Sequence, residues 1–285
     1  MWPGAETLEL SGSVFTIMRD LIRENAGLYY DDSRREILAE KLSDRVRAQG
    51  FRSYLDYYYL LKYDPAAESE WPCLLDALSV PETYFWREIG QVNALVDTIL
   101  PNLVQSTPQA PVDIWCAACA TGEEPLTIAM ALAEAGWWDR AAIRIKASDA
   151  SPSAIEKARR GIFRERSFRC LSRPLREKYF SPTEGGEKIS PELHGRISWS
   201  CANLVNDQQV EPLVHVSIIF CRNVFIYFAP DTVASTIRRF ARGMIRPGYL
   251  FVGASESLLK ITDEFELEQF GEAFVYFLPP TKGQK

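Results

Sequence analysis

Between Trp115 and Pro125 the sequence reads W-C-A-A-C-A-T-G-E-E-P, which gathers two thiols, a run of small residues and two adjacent carboxylates. Cys116 and Cys119 have the C-x-x-C spacing of a dithiol redox centre, after a strand-like segment and before a helical one. The surroundings do not support that chemistry. The motif ends the first strand of a long alternating region instead of opening a small redox domain, and a zinc site would need two further ligands. Only His194 and His215 are available, neither at metal-ligand spacing from another cysteine. Cys116 and Cys119 are therefore expected to be small, buried fillers where the strand turns.

A ligand-binding loop accounts for more of these residues. Ala117, Ala118 and Gly122 would let backbone approach a bound molecule closely, and a helix opening at Glu123 would aim free N–H groups at the loop. Asp149 ends the next strand, 27 residues after Gly122, where a carboxylate can accept from both hydroxyls of a ribose. The plainer role for Asp149 is to cap the helix that starts at Ser151. A small loop after one strand and an acid after the next mark a nucleoside-containing cofactor. No G-x-G-x-x-G cradles a pyrophosphate, and Glu123 and Glu124 would repel phosphates while suiting ammonium and sulfonium charges. S-adenosylmethionine is thus favoured over NAD.

These residues need a sheet to hold them. VDIWCAA (112–118), IRIKASD (143–149), VSIIFC (216–221), YLFVGAS (249–255) and FVYFL (274–278) read as strands. Helices are predicted over 124–136, 151–161 and 230–244, the second with Ser151 as N-cap and Pro152 at its first position. The alternation predicts an α/β fold: a mostly parallel sheet covered on both faces, with ligands at the carboxyl ends of its strands. Residues 179–203 are punctuated by Gly, Pro and Ser and read as a small β insertion, whereas 101–111 reads as a loop. Upstream, 11–80 reads as helices, with stripes at Phe15, Met18, Leu21 and Ile22, and at Ile37, Leu38, Leu42 and Val46. Gly50 closes the second helix, Tyr57 to Leu61 starts a third stripe, and Trp71 to Leu78 fits one more short helix.

The bulk properties narrow the class. A chain of 285 residues holds one or two domains, and a net charge of −6 argues against general nucleic-acid binding. The first residues lack the basic and apolar regions of a signal peptide, and the apolar run 216–228 is broken by Arg222 and Asn223. A cytoplasmic protein with reduced thiols and no direct membrane insertion is expected.

Six ordered motifs then carry a resemblance. They are Thr83-x-Phe85-x-Arg87, the 115–125 loop, A-S-D (147–149), A-N-L (202–204), F-C-R-N-V-F-I-Y-F (220–228) and R-P-G-Y-L-F-V-G-A-S-E-S (246–257). Together they resemble the CheR family of chemotaxis receptor glutamate methyltransferases, over about residues 12 to 280. The resemblance implies a helical N-terminal domain (1–80) for substrate recognition. It also implies an S-adenosylmethionine-dependent, Rossmann-like methyltransferase domain (81–285) carrying a β subdomain at about 179–203. Thr83 and Arg87 would meet the methionine end of the cofactor, with Arg87 also near the transferred methyl. Ala118 and Glu124 would contact the amino-acid moiety, Asp149 the ribose, and Asn203 and Leu204 the adenine. Arg222 and Asn223 would line the site, and Tyr227 would face the methyl. Arg87 and Tyr227 are the expected catalytic pair. The implied partner is a methyl-accepting chemoreceptor, met by a monomeric enzyme, and S-adenosylhomocysteine is the implied product. Three positions depart from the family pattern: Pro81 should remove one polar contact, while Cys116 and Ala120 replace serines at similar size.

The segment 33–52 carries six basic and three acidic residues. Arg34, Lys41 and Arg45 fall within roughly 40° of one another on a helical wheel. A solvated face explains this spacing equally well; the resemblance favours recognition of an acidic receptor helix. Two further readings stay open, a small-molecule carboxyl or O-methyltransferase and a non-catalytic receptor-binding module. A nucleic-acid adenine methyltransferase would carry D/N-P-P-Y where Cys221-Arg222-Asn223-Val224 stands.

Overall fold

The computed structural model describes residues 8–80, 82–106 and 110–280. Four helices come first: α1 (Gly12–Ala26), α2 (Arg35–Ala48), α3 (Tyr54–Tyr63) and α4 (Ala67–Leu78). Their apolar residues recur at three- and four-residue spacing, so each helix turns one face inward. Phe15, Met18 and Ile22 meet Leu38, Leu42, Val46, Tyr57, Leu74 and Leu78 in one core. Ile37 departs from the expected stripe. It sits about 100° round the helix from Leu38, and 50% of it is exposed.

Residues 101–106 are helical where the sequence suggested a loop over 101–111, of which 107–109 lie outside the described residues. Helix α5 (Ile89–Ala94) runs through a π-helical turn (Leu95–Ile99) into α6 (Leu100–Ser106). Pro101 lacks an N–H and would press on the carbonyl four residues back in a regular helix. The wider π turn, closed by the Leu100 N–H on the Leu95 carbonyl, relaxes that geometry just ahead of it.

Seven strands form the main sheet: β1 (Val112–Ala117), β2 (Ile143–Asp149), β6 (Ile197–Cys201), β7 (Ile218–Phe220), β8 (Gly248–Phe251), β9 (Glu266–Phe270) and β10 (Ala273–Leu278). Their order is β6-β2-β1-β7-β8-β10-β9, parallel from β6 to β8, with β10 antiparallel to both its neighbours. Period-two alternation divides β1 between two cores. Ile114 and Cys116 face one side with α7 (Glu123–Glu134); Trp115 and Ala117 face the other with α12 (Pro230–Gly243).

The β insertion only partly matches the expected 179–203: two of its strands fall there and a third lies upstream at 162–163. A three-stranded sheet is made by β3 (Ile162–Phe163), β4 (Phe180–Thr183) and β5 (Gly186–Ile189), in the order β3-β5-β4. Ile197 to Cys201, expected within the insertion, instead pairs in parallel with β2 as an edge of the main sheet. The remaining helices are α8 (Pro152–Arg160), α9 (Arg173–Tyr179), α10 (Pro191–His194) and α11 (Asp207–Val214).

Candidate active site

Parallel strands that all end on one side leave their following loops together. The loops after β1, β2, β6 and β7 supply Ala118, Asp149, Asn203 with Leu204, and Arg222 with Asn223 and Tyr227. All line one cleft of about 360 Å³, together with Thr83, Arg87 and Glu124. The helical unit closes the opposite wall with Tyr30, Arg34, Ile37, Lys41 and Asp76. Its attachment is direct: the Tyr29 N–H donates to the Tyr227 carbonyl at 2.8 Å, and Asn203 Nδ2 to the Asn25 carbonyl at 2.6 Å.

The backbone here is held under local strain. Among the described residues, the non-glycine positions with left-handed φ are Trp86, Glu88, Ala118, Ala120 and Asn223, and every one belongs to the loops around this cleft. Phe85 anchors the first of these loops. It is buried against Phe163, Phe168 and Phe180, with ring centroids 4.9 to 5.5 Å away, so the small sheet positions Thr83 and Arg87 from behind.

Two residues of the opening loop act differently from expectation. Ala117 is fully buried in the core, and Gly122 does not line the cleft. Gly122 has φ +96°, and a Cβ there would lie 2.8 Å from the Trp199 ring, so its smallness serves sheet packing. The paired carboxylates also part ways. Glu123 points into the core, accepting from Thr121 Oγ1 at 2.6 Å and Ser167 Oγ at 2.9 Å. Glu124 faces the cleft, where Arg222 Nε donates to it at 2.6 Å. The Arg222 side chain is only 3% exposed and also reaches the Arg87 carbonyl and Gln91 Oε1. Burial pushes both glutamates above the usual carboxylate range, with Arg222 partly offsetting this at Glu124.

Asp149 is tied into the turn before α8 and also lines the cleft. Its Oδ1 accepts from the Ser151 N–H and its Oδ2 from the Ala120 N–H, each at 2.9 Å. An ionised carboxylate offers about four acceptor sites, so acceptor capacity remains on the side facing the cleft. Burial raises its pKa above the ordinary value. Cys116 and Cys119 are buried and form no disulfide, the Cys119 thiol donating weakly to the Ala120 carbonyl at 3.8 Å, and burial pushes both thiols well up, away from reactive thiolate.

Arg87 stays accessible: one guanidinium nitrogen donates to the Glu82 carbonyl at 2.6 Å, and the group lies over the Tyr84 ring. Tyr227 is not part of the Phe225–Phe228 ring pair, and its hydroxyl has no hydrogen bond to another described residue. Pro81 lies outside the described residues.

The basic face of α2 does not hold together as a unit. Arg45 is committed to Glu70, with Nε and Nη2 at 2.8 and 2.6 Å from a carboxylate that is 2% exposed and also bound by Tyr57. Lys41 donates to the carbonyls of Ala77, Leu78 and Ser79 and so caps the C-terminus of α4. Only Arg34 is half exposed, with its ion-pair contact to Asp31 at 3.8 Å.

Sequence reasoning also missed a supporting layer. Glu256 accepts from the N–H groups of Asn223, Gly253 and Ile226, and Glu88 from Ala254 and Asn223. Glu256 stands inside the 246–257 motif, but its task as a backbone clamp has no local signature.

Residues 14–79 match the family model described as CheR methyltransferase, all-alpha domain, and residues 81–274 match CheR methyltransferase, SAM binding domain. The chain belongs to the CheR methyltransferase family. Chemotaxis protein methyltransferase 2 of Vibrio cholerae is 31% identical to it, over 93% of this chain and 92% of that protein. The chemotaxis protein methyltransferase of Klebsiella aerogenes is 33% identical over 92% and 89%, and that of Escherichia coli 31% over 92% and 90%.

A CheR enzyme uses S-adenosylmethionine, and the cleft fits it. The open acceptor sites of Asp149 suit a ribose diol, buried Leu204 offers an apolar wall, and Glu124 suits an ammonium group. Among the described residues no cluster of His, Cys, Asp or Glu could hold a metal ion.

Proposed function

We propose that this CheR enzyme transfers the methyl group of S-adenosylmethionine to glutamate side chains of methyl-accepting chemoreceptors, giving methyl esters. The observation that carries this is the shared cleft. Arg87 and Tyr227 from the sheet unit and Arg34 from the helical unit line one cavity with Asp149 and Glu124. Bound S-adenosylmethionine supplies an activated methyl, and its transfer to a carboxylate oxygen leaves a neutral thioether and an ester.

The protein's own task is then positional. A glutamate carboxylate is ionised at neutral pH, so no general base is required. Arg87 keeps donors free after its bond to Glu82, and the Tyr227 hydroxyl is uncommitted, so both can orient an incoming carboxylate. Opposite charges cancel as the methyl moves, and a cleft closed by both units lowers the water content that would otherwise favour the separated ions. Thr83 and Glu124 bind the methionine end, Asp149 the ribose, and Asn203 and Leu204 border the adenine. Arg222 and Asn223 hold the floor through Glu124, Glu88 and Glu256.

Receptor recognition falls mainly to Arg34 and the rim around it, since Lys41 and Arg45 are engaged internally. We infer an acidic helical segment as its target and a monomer as the working state, because one chain supplies every wall of the cleft. Among the described residues no helix is long and apolar enough to cross a membrane, and the proposed setting is the cytoplasm. The test is incubation with methyl-labelled cofactor and candidate receptors. Label that appears in receptor and is released by alkali is the expected result; alkali-stable label, or none in receptor, overturns the proposal.

A further inference from the structure

We propose that Asp76, near the end of α4, is a positioning residue for the cofactor: it clamps the N-terminus of α8 and so holds Asp149 ready for the ribose. This rests on the reading of Asp149 as the ribose acceptor. The inference comes from accounting for the free N–H groups that open any helix.

In α8 the first helical residue is Pro152, which has no N–H. The neighbouring donors are all taken. Ser151 N–H goes to Asp149 Oδ1 at 2.9 Å, Ser153 N–H to Asp76 Oδ1 at 3.1 Å, and Ala154 N–H to Ser151 Oγ at 3.0 Å. The Ser151 hydroxyl donates its own proton to Asp76 Oδ1. A serine hydroxyl has a single proton. Giving that proton to Asp76 turns the oxygen lone pairs toward the Ala154 N–H, which is how the cap is made. Ser151 is 2% exposed, so no surrounding solvent substitutes for Asp76.

The clamp therefore links three carriers of function. Asp76 belongs to the helical unit, Ser151 to the turn after β2, and Asp149 binds the loop after β1 through Ala120. Asp76 also directly precedes the carbonyls of Ala77, Leu78 and Ser79 that Lys41 holds. Helix α2, which adjoins Arg34, thus reaches the ribose site through Lys41, the last turn of α4 and Ser151.

A carboxylate beside Asp149 is electrostatically adverse: burial, and to a smaller degree the Asp76 charge, push the pKa of Asp149 upward. The helix N-terminus offsets part of this repulsion. Because a single oxygen of Asp76 accepts both bonds, an amide oxygen can replace it. Asp76→Asn is therefore the conservative rescue, and Asp76→Ala removes the clamp.

The experiment measures S-adenosylhomocysteine affinity of the full chain by calorimetry, with receptor methylation kinetics at saturating cofactor. Asp76→Ala should weaken affinity about tenfold, the scale of one lost hydrogen bond to a charged group. Its kcat should stay within about twofold, since no group touching the reacting atoms is removed. Asp76→Asn should stay within roughly threefold of wild type. The double variant Asp76→Ala/Asp149→Ala should bind no more weakly than Asp149→Ala alone, because Asp76 acts through Asp149. Unchanged affinity in Asp76→Ala alongside a weakened Asp149→Ala overturns the clamp and leaves the ribose reading intact. Unchanged affinity in Asp149→Ala overturns that reading, and the clamp with it. Additive losses in the double variant also overturn the clamp. Should Asp76→Ala not fold, Ser151→Ala breaks the same relay, and the cycle with Asp149→Ala is read in the same way.

Discussion

The loop after β1 and the face of α2 both carry residues whose spacing suggests a ligand, and the structure treats them oppositely. Ala118 and Glu124 reach the cleft because the carboxyl end of a central parallel strand has nowhere else to send its loop. Of that basic face only Lys41, with Arg34 just before α2, reaches it, and Lys41 arrives already bound to three carbonyls of α4. Arg45 meets Glu70, a partner 25 residues away on a neighbouring helix. Topology dictates the destination of a strand-end loop. A helical face is decided by its packing partners, which spacing within the helix does not reveal.

The sharpest way to break this contrast is to remove a cation from each region. Arg222→Met leaves Glu124 buried without its partner and should cost about 3–5 kcal/mol in denaturant unfolding. Adding Glu124→Leu should recover much of that stability while cofactor affinity stays lost. A single variant that loses under about 1 kcal/mol contradicts burial of the pair.

Arg45→Met should cost about 2–4 kcal/mol, because Glu70 keeps only Tyr57 and Gln49 as partners. The apparent Michaelis constant for receptor should stay at the wild-type value in the folded enzyme. A raised receptor constant with unchanged stability would restore Arg45 to the docking surface.

Asp149→Ala should weaken S-adenosylhomocysteine binding by about 1–3 kcal/mol. The pH dependence gives a second readout. The folded pKa of Asp149 is raised by burial, so its ionised form opposes folding above the unfolded value of about 3.9. That penalty is relieved as pH falls through the folded value. Affinity moves the other way, since protonation removes acceptor capacity just where stability is regained. Calorimetry across about pH 4 to 7 should show affinity falling at a pH above the ordinary aspartate range, and Asp149→Asn should flatten the profile.

The smallest effect is expected at Arg34. Arg34→Glu should raise the receptor Michaelis constant several-fold, within about 1 kcal/mol, most clearly at low salt. Stability and cofactor affinity should not move. A constant receptor response would assign recognition elsewhere on the rim.

The central strands β1, β2, β7, β8 and β10 were legible because buried strands read as apolar runs. The two strands of the main sheet that were missed, β6 and β9, are its two edges, where exposed residues such as Ser198 and Glu266 dilute the pattern. Pro101 disguised α6, since its tolerance depends on a π turn that sequence does not announce. Thr83 and Arg87 came only from the family resemblance of their motif, whereas Asp149 could be picked out at the end of a strand. Asp76 could not: it meets Ser151 across 75 positions, and nothing around it marks it as more than a polar residue on a short helix.

The two family matches meet between residues 79 and 81, which invites treating the chain as two separable parts. The contacts at Asn25, Tyr29 and Asp76 argue otherwise. A gene cut at that junction would yield a sheet-bearing fragment in which Asn203, the Tyr227 loop and the Ser151 turn have each lost a partner. Swapping helical units between relatives to retarget the enzyme would meet the same obstacle. A graft would have to carry over the residues that hold the cofactor loops, and a chimera chosen only for its receptor-facing surface would arrive with a loosened cofactor site.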